Sequence, residues 1–243
     1  WSSDVCSSDL DFVAVPTFPT ANSIDWNLRY ARDARWDVVT KALNVMRAGF
    51  VKKNNDDAWH TLLSAGLDRN IVVFDSDATA GQFTKRVVSL GKVVMRRNGG
   101  GNSSSVNRGQ LTDLFLSPEG IEDIRNWNVD QVDEITRREI FISGSNMSRI
   151  FSVNLHDIDE LGEGQEYQDY YVNTIGGSLP GSKLELAVGL DLSTNDSFVN
   201  PIRSEIQVFA DPELHRSQRA GFYGWSEQGW AVLDNRRVIL LAF

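Results

Sequence analysis

Residues 211–241 read DPELHRSQRAGFYGWSEQGWAVLDNRRVILL, and they carry the features that decide the fold. Phe222, Tyr223, Trp225 and Trp230 stand among glycines, and the charged Asp234, Arg236 and Arg237 follow closely. Large aromatics with glycine hinges form either a turn packed on its own core or an anchor for a neighbouring chain. These residues alone leave both readings open. The end of the chain, WAVLDNRRVILLAF, suggests a hairpin-like pair of strands around Asp234 and Asn235.

Working outward, the texture from residue 139 onward is mainly β. REIFIS, RIFSVNL, YYVNTI, KLELAVGLDL and EIQVFA are separated by glycine, proline and asparagine. The earlier part of the chain is more helical. Ala31, Ala34, Val38, Ala42, Val45, Met46 and Phe50 recur at three- and four-residue spacing, with Ser23 or Asp25 placed to cap the start. The pattern predicts a helix of about seven turns, roughly 40 Å long at 1.5 Å per residue. Asp56 is placed to cap a second, short helix ending at Gly66. NIVVF, 70–74, reads as a compact strand. Phe83, Val87, Leu90 and Val94 make a helical stripe that stops at Gly99, Gly100 and Gly101, and GGGNSSSVN reads as a flexible loop. LTDLFLSPEGIEDIRNW, 111–127, reads as strand, turn and helix, with Ser117 as the cap and Pro118 at the first helical position, where a missing N–H costs nothing. At the front, DFVAVPTFPT, 11–20, suits the end of an extended edge strand. There is no internal repeat. Helices first and strands later imply an α+β architecture.

The chain has 243 residues, 33 acidic against 24 basic, a formal charge of −9 and one cysteine. Its first ten residues, WSSDVCSSDL, show neither hydrophobic periodicity nor the basic start and apolar run of a signal peptide. Back-translated as TGG AGT TCA GAC GTG TGC TCT TCC GAT CT, they resemble a short-read sequencing adapter. Residues 1–10 are therefore expected to be an adapter artefact, with the true start of the protein upstream of residue 11. Cys6 lies in that stretch, so disulfides, thiol nucleophiles and cysteine-ligated metals are excluded for the remainder. No apolar run approaches the roughly 20 residues that span a bilayer. The acidic balance argues against broad, charge-driven wrapping of nucleic acid, while a local basic face stays open.

Motifs for catalysis are sparse. His60, His156 and His215 have no zinc-site spacing. HDIDE gathers His156, Asp157, Asp159 and Glu160, an oxygen-rich group that lacks the glycine and terminal glutamate of a calcium loop; a solvated acidic turn explains it more simply. Asp75 and Asp77 follow a strand, as in metal-dependent transferases, and capping of the next helix explains them more simply. The GGGN run lacks the lysine and hydroxyl of a phosphate-cradling loop, and neither GxSxG nor HExxH occurs. Catalytic, cofactor and metal residues are accordingly expected to be none. Lys85, Arg86, Lys92, Arg96, Arg97 and Arg108 form the one basic cluster, read either as a phosphate- or partner-facing patch or as a solvated helix face.

The C-terminal run resembles that of the HK97-like major capsid proteins of tailed bacteriophages. Members of that family from marine phages carry a DP near HRxQR, then GxYGW, then LDNRR. Here these are Asp211, Pro212, His215, Arg216, Gln218 and Arg219, then Gly221, Tyr223, Gly224 and Trp225, then Leu233 to Arg237. LFLSPEGIEDIRNW, 114–127, is similar to a strand and helix of their axial domain. The order of elements, extended arm, long helix, mixed domain and returning strands, matches as well.

The resemblance implies an HK97-like capsid fold, N-terminally truncated. Residues 11–24 would be the end of the extended loop, 25–75 the peripheral domain with its long spine helix, 76–195 the axial domain, and 196–243 the return strands. It implies a major capsid protein that self-assembles as pentamers and hexamers into the icosahedral phage head, located in the virion after assembly in the host cytoplasm. Double-stranded DNA would be enclosed with weak direct contact, scaffold, portal and decoration proteins would be further partners, and no membrane or cofactor would be involved. The loop lysine through which some relatives cross-link has no counterpart here. The expected assembly interface is Phe222, Tyr223, Trp225, Trp230, Arg236 and Arg237. Alternatives are an encapsulin-type compartment shell, a metal-dependent enzyme using the acidic clusters, and a glycan- or host-binding virion module with the aromatic run as its platform.

Overall fold

The computed structural model describes residues 14–33, 37–98, 109–127, 148–193 and 197–243. The adapter-like start, residues 11–13, the GGGNSSSVN loop, Arg108 and REIFIS lie outside the described residues. Along the chain run β1 (Phe18–Asn27), α1 (Leu28–Asp33), α2 (Val38–Asp68), β2 (Val72–Phe74), α3 (Lys85–Asn98), β3 (Asp113–Leu116), α4 (Pro118–Asn126) and β4 (Ser148–Ile150). There follow β5 (Val153–Asp157), α5 (Glu166–Asp169), β6 (Leu186–Leu190), β7 (Phe198–Val199), β8 (Ile202–Ala210), β9 (Arg219–Gln228), β10 (Ala231–Val232) and β11 (Val238–Ala242). The chain divides into two compact units: residues up to Asn55 with Asn200–Ala231, and Asp56–Val199 with Val232–Phe243.

The first unit is an antiparallel sheet of order β1-β9-β8, covered on one face by the first part of α2. β1 and β9 pair without a break from Phe18↔Gln228 to Asn27↔Arg219. Ala42, Met46 and Phe50, spaced to share one helix face, are buried. They can sit close to the sheet because β9 offers a glycine: a Cβ on Gly224 would lie 2.4 Å from the Met46 methyl and 3.2 Å from the Phe50 ring. Gly221 likewise passes the neighbouring strand too closely for a side chain, 2.6 Å from the Ile24 carbonyl oxygen. These glycines are points of close approach within a strand, not hinges.

The second unit is a mixed sheet of order β2-β11-β6-β3-β5-β4, apolar on both faces. Alternation along β11 sends Ile239, Leu241 and Phe243 to one side and Val238 and Leu240 to the other. The first side packs on α3, α4 and the residues flanking them through Phe83, Val87, Met95, Ile124 and Trp127. The second packs on the later part of α2 and the segment around α5 through Leu63, Tyr167 and Tyr171. Trp59 wedges between Phe115, edge-on at 5.2 Å, and Tyr167, stacked at 5.3 Å.

Several sequence expectations are met. Ser117 caps α4, accepting from the Gly120 amide at 3.1 Å, with Pro118 in the first turn. The α3 stripe stands as read, and NIVVF, KLELAVGLDL and EIQVFA each contribute a strand, with bounds of 72–74, 186–190 and 202–210. Others are corrected. Ser23 and Asp25 lie inside β1, and the long helix begins at Val38. Asp56 lies inside α2 and not at a helix start, because α2 is one helix of 31 residues, about 46 Å long at 1.5 Å per residue. RIFSVNL is two strands folded about a turn at Phe151 and Ser152. YYVNTI continues α5 as a π-helical turn over Tyr170–Thr174. The final hairpin does not form: β10 pairs with β7, while β11 lies parallel to β2 and antiparallel to β6.

Candidate assembly surface

The residues of β9 alternate between the two sides of the three-stranded sheet. Inward, Phe222 lies tilted on Trp26 with ring centroids 5.5 Å apart, and Gly224 sits beneath Met46 and Phe50. Outward stand Tyr223 and Trp225, 45% and 51% exposed. Register fixes their neighbours. Tyr223 faces Ser23 of β1 and Phe209 of β8, stacking on the Phe209 ring at 5.6 Å. Trp225 faces Ala21 and Gln207. Because Ala21 and Ser23 are small, a shallow groove runs along the β1 side of both aromatic rings.

Ion pairs border this aromatic strip at each end. At one, Glu227 accepts from Thr17 at 2.7 Å and pairs with Arg203 at 3.0 Å, which together hold its carboxyl below the ordinary carboxylate range. At the other, Arg219 meets Asp25 at 2.9 Å. The strip thus has an apolar centre and a charged border, an arrangement that protein–protein interfaces share.

The remaining interface candidates sit differently. Trp230 is half-buried and donates its indole N–H to Asn54 Oδ1 at 2.7 Å. Arg236 and Arg237 belong to the other unit. Arg236 is exposed and forks onto Asp234 at 2.8 and 3.0 Å, drawing that carboxyl below its usual range. Arg237 is buried in an ion pair with Asp191. Burial pushes the Asp191 carboxyl up, but hydrogen bonds from Ser193, the Gln110 amide and Arg237 outweigh it and bring the carboxyl below its usual range. Sequence reasoning missed Phe209, the ring that completes the aromatic strip. Its strand was legible, but its position beside Tyr223 depends on a pairing register that one sequence does not print.

The acidic clusters resolve into internal contacts. Asp75 accepts from the Asp77 amide at 3.1 Å and from Thr84 Oγ1 at 2.9 Å, and pairs with Arg86 at 3.3 Å. Arg86 also bonds Asp77, which lowers the Asp77 carboxyl. The cap of α3 is Thr84, not an aspartate, with the Val87 amide donating to its hydroxyl at 3.4 Å. His156 faces Asp113 at 2.8 Å, and burial raises the Asp157 carboxyl, helped by the charge of Asp159. Among the described residues no group of three or more His, Cys, Asp or Glu is placed to hold a metal, and no helix is long and apolar enough to cross a membrane.

The fold is the HK97-like capsid fold, as its likeness to solved structures shows. The cyanophage Pam1 capsid protein is similar at TM-score 0.60 and 12% identity, over 94% of this chain and 75% of that one. The capsid protein of Myoviridae phage XM1 is similar at TM-score 0.57 and 10% identity, over 94% and 74%. The SrpI encapsulin of Synechococcus elongatus is similar at TM-score 0.57 and 14% identity, over 93% and 73%. No protein-family model matches the chain, and no curated protein matches it in sequence.

Proposed function

We propose that this chain is a major capsid protein, a non-catalytic subunit that assembles with copies of itself into the icosahedral head of a tailed bacteriophage and encloses double-stranded DNA. The observation that carries this reading is the fold, shared over 94% of the chain with each of two phage capsid proteins. The three-stranded unit serves as the peripheral domain, with β1 as the end of the extended loop. The six-stranded unit serves as the axial domain at capsomer centres. Tyr223, Trp225 and Phe209 supply the assembly contact, backed by Phe222 and Trp230, and Arg236 adds a charged contact from the other unit. A shell of identical subunits needs such self-complementary patches repeated by symmetry, not a pocket. The formal charge of −9 suits a protein that encloses DNA without adhering to it along its whole surface. Scaffold, portal and decoration proteins would be its further partners, the virion its final location and the host cytoplasm its place of assembly.

The likeness to SrpI favours one second reading, a compartment shell that holds cargo enzymes. The experiment is electron microscopy and sedimentation of the protein expressed in bacteria from its gene, recovered upstream past residues 1–10. Closed shells, or rings of five and six, are expected. A monomer at all concentrations overturns the shell reading. Shells that co-purify with an enzyme, not with phage proteins, overturn the phage assignment in favour of the compartment.

A further inference from the structure

The turn between β4 and β5 places Phe151 and Ser152 in the left-handed region, at φ 50° and 66°. Neither residue is a glycine or an asparagine, and two successive such conformations cost on the order of 1 kcal/mol or more each. Phe151 is 39% exposed beside α3. There it forms a shallow groove with Lys85, Val88, Ser89, Lys92 and Val93.

Two lysines converge on that ring. Lys85 Nζ lies over its face, 5.2 Å from the centroid. Lys92 Nζ donates to the Phe151 carbonyl oxygen at 2.6 Å. Arg96 follows one turn further along α3, exposed. Lys85, Ser89, Lys92 and Arg96 are spaced by four, three and four residues, so they form a single line on the solvent side of the helix. That line is about 16 Å long at 1.5 Å per residue, roughly the axial length of five phosphates on one DNA strand. Arg86, by contrast, is neutralised by Asp75 and Asp77. Among the described residues no carboxylate lies within ion-pair distance of Lys85, Lys92 or Arg96.

We propose that the Lys85–Lys92–Arg96 line, buttressed by Phe151, is a binding site for the phosphate backbone of duplex DNA. Its role in contacting packaged DNA rests on the capsid reading. The two lysines are held by the turn, so little of their side-chain freedom remains to be lost on binding. Three phosphate contacts make the site weak and steeply salt-dependent, with an expected loss of about 40-fold in affinity between 50 and 200 mM salt. That combination lets a shell guide DNA without gripping it.

The test is fluorescence anisotropy of a labelled 25-base-pair duplex titrated with the full chain at several salt concentrations, compared with a triple variant, Lys85→Gln, Lys92→Gln and Arg96→Gln. Each cation removed should lower the slope of log K against log salt by about 0.9, independently of DNA sequence. Arg96→Gln alone makes no contact with the turn, so it reads the charge without disturbing the fold. It should lower the slope by about 0.9 while leaving the melting temperature in place. Absence of duplex binding by the unmodified chain at 50 mM salt overturns the site, as does an unchanged slope in both variants. Tighter binding of a polyglutamate peptide than of the duplex at equal charge concentration also overturns it and makes the line a protein-docking patch. Shell formation is scored separately by microscopy, so shells without DNA binding sink this site alone, and DNA binding without shells sinks the capsid reading alone.

Discussion

A guanidinium only 7% exposed, set against a carboxylate with no exposure at all, has given up most of its hydration. The Arg237–Asp191 pair recovers that cost only while Asp191 keeps its other donors, Ser193 and the Gln110 amide. Asp191→Ala should therefore cost about 3–5 kcal/mol in urea unfolding, because it strands a buried positive charge. The Asp191 carboxyl lies below its unfolded value, so its contribution is complete at neutral pH and is lost as pH falls through the depressed folded value. Glu185 behaves oppositely. Burial raises its carboxyl, although Ser117 donates a hydrogen bond to it. Holding it charged at neutral pH costs stability, and that cost disappears as pH falls through the raised folded value. Glu185→Gln keeps an acceptor for Ser117 and should raise the urea midpoint at pH 7 while flattening the pH dependence between pH 7 and the carboxylate range. A lower midpoint at pH 7 would show that the charge is used.

At the scale of elements, the contacts that hold α2 and α4 give two measurable costs. A methyl on Gly224 would collide with the Met46 side chain and lie 2.9 Å from the Gln207 carbonyl oxygen of the adjacent strand. Gly224→Ala should destabilise the three-stranded unit by about 1–3 kcal/mol. Ser117→Ala removes the α4 cap and the Glu185 donor together, an expected loss of about 1–2 kcal/mol by the same measurement. Ser117 and Pro118 were legible because capping is local chemistry. Gly66 reads as a helix end and lies in the last turn of α2, two residues before it stops at Asp68, where a Cβ would meet Leu240 at 2.8 Å. Ser23 and Asp25 misled, being favoured cap residues that here alternate with half-buried Ile24 and Trp26 along a strand. YYVNTI has strand-forming residues but folds as helix because Tyr167 and Tyr171, four apart, both bury against β6 and β11. In each case a distant partner outweighed a local preference, and a single sequence does not show where the partner lies.

For the whole molecule, the question is why Tyr223 and Trp225 stay in water when the chain has cores on both sides of its larger sheet. In the monomer they contribute little: replacing exposed side chains generally shifts stability by no more than about 0.5 kcal/mol. In the proposed shell the same rings would be desolvated at every repeated contact, and a central aromatic anchor is worth about 2 kcal/mol or more. That is about a 30-fold rise in the protein concentration at which shells form, since every 1.4 kcal/mol is tenfold. Trp225→Ala should therefore melt with the unmodified chain yet leave material as free subunits at concentrations where the parent is fully assembled, as read by sedimentation. Tyr223→Ala should act in the same direction and also loosen Phe209, its stacking partner. If Trp225→Ala assembles at the parent's threshold, the aromatic strip is not the contact that builds the shell. If it lowers the melting temperature instead, the ring supports the subunit's own fold. Unchanged melting with impaired assembly is the outcome that an assembly surface requires.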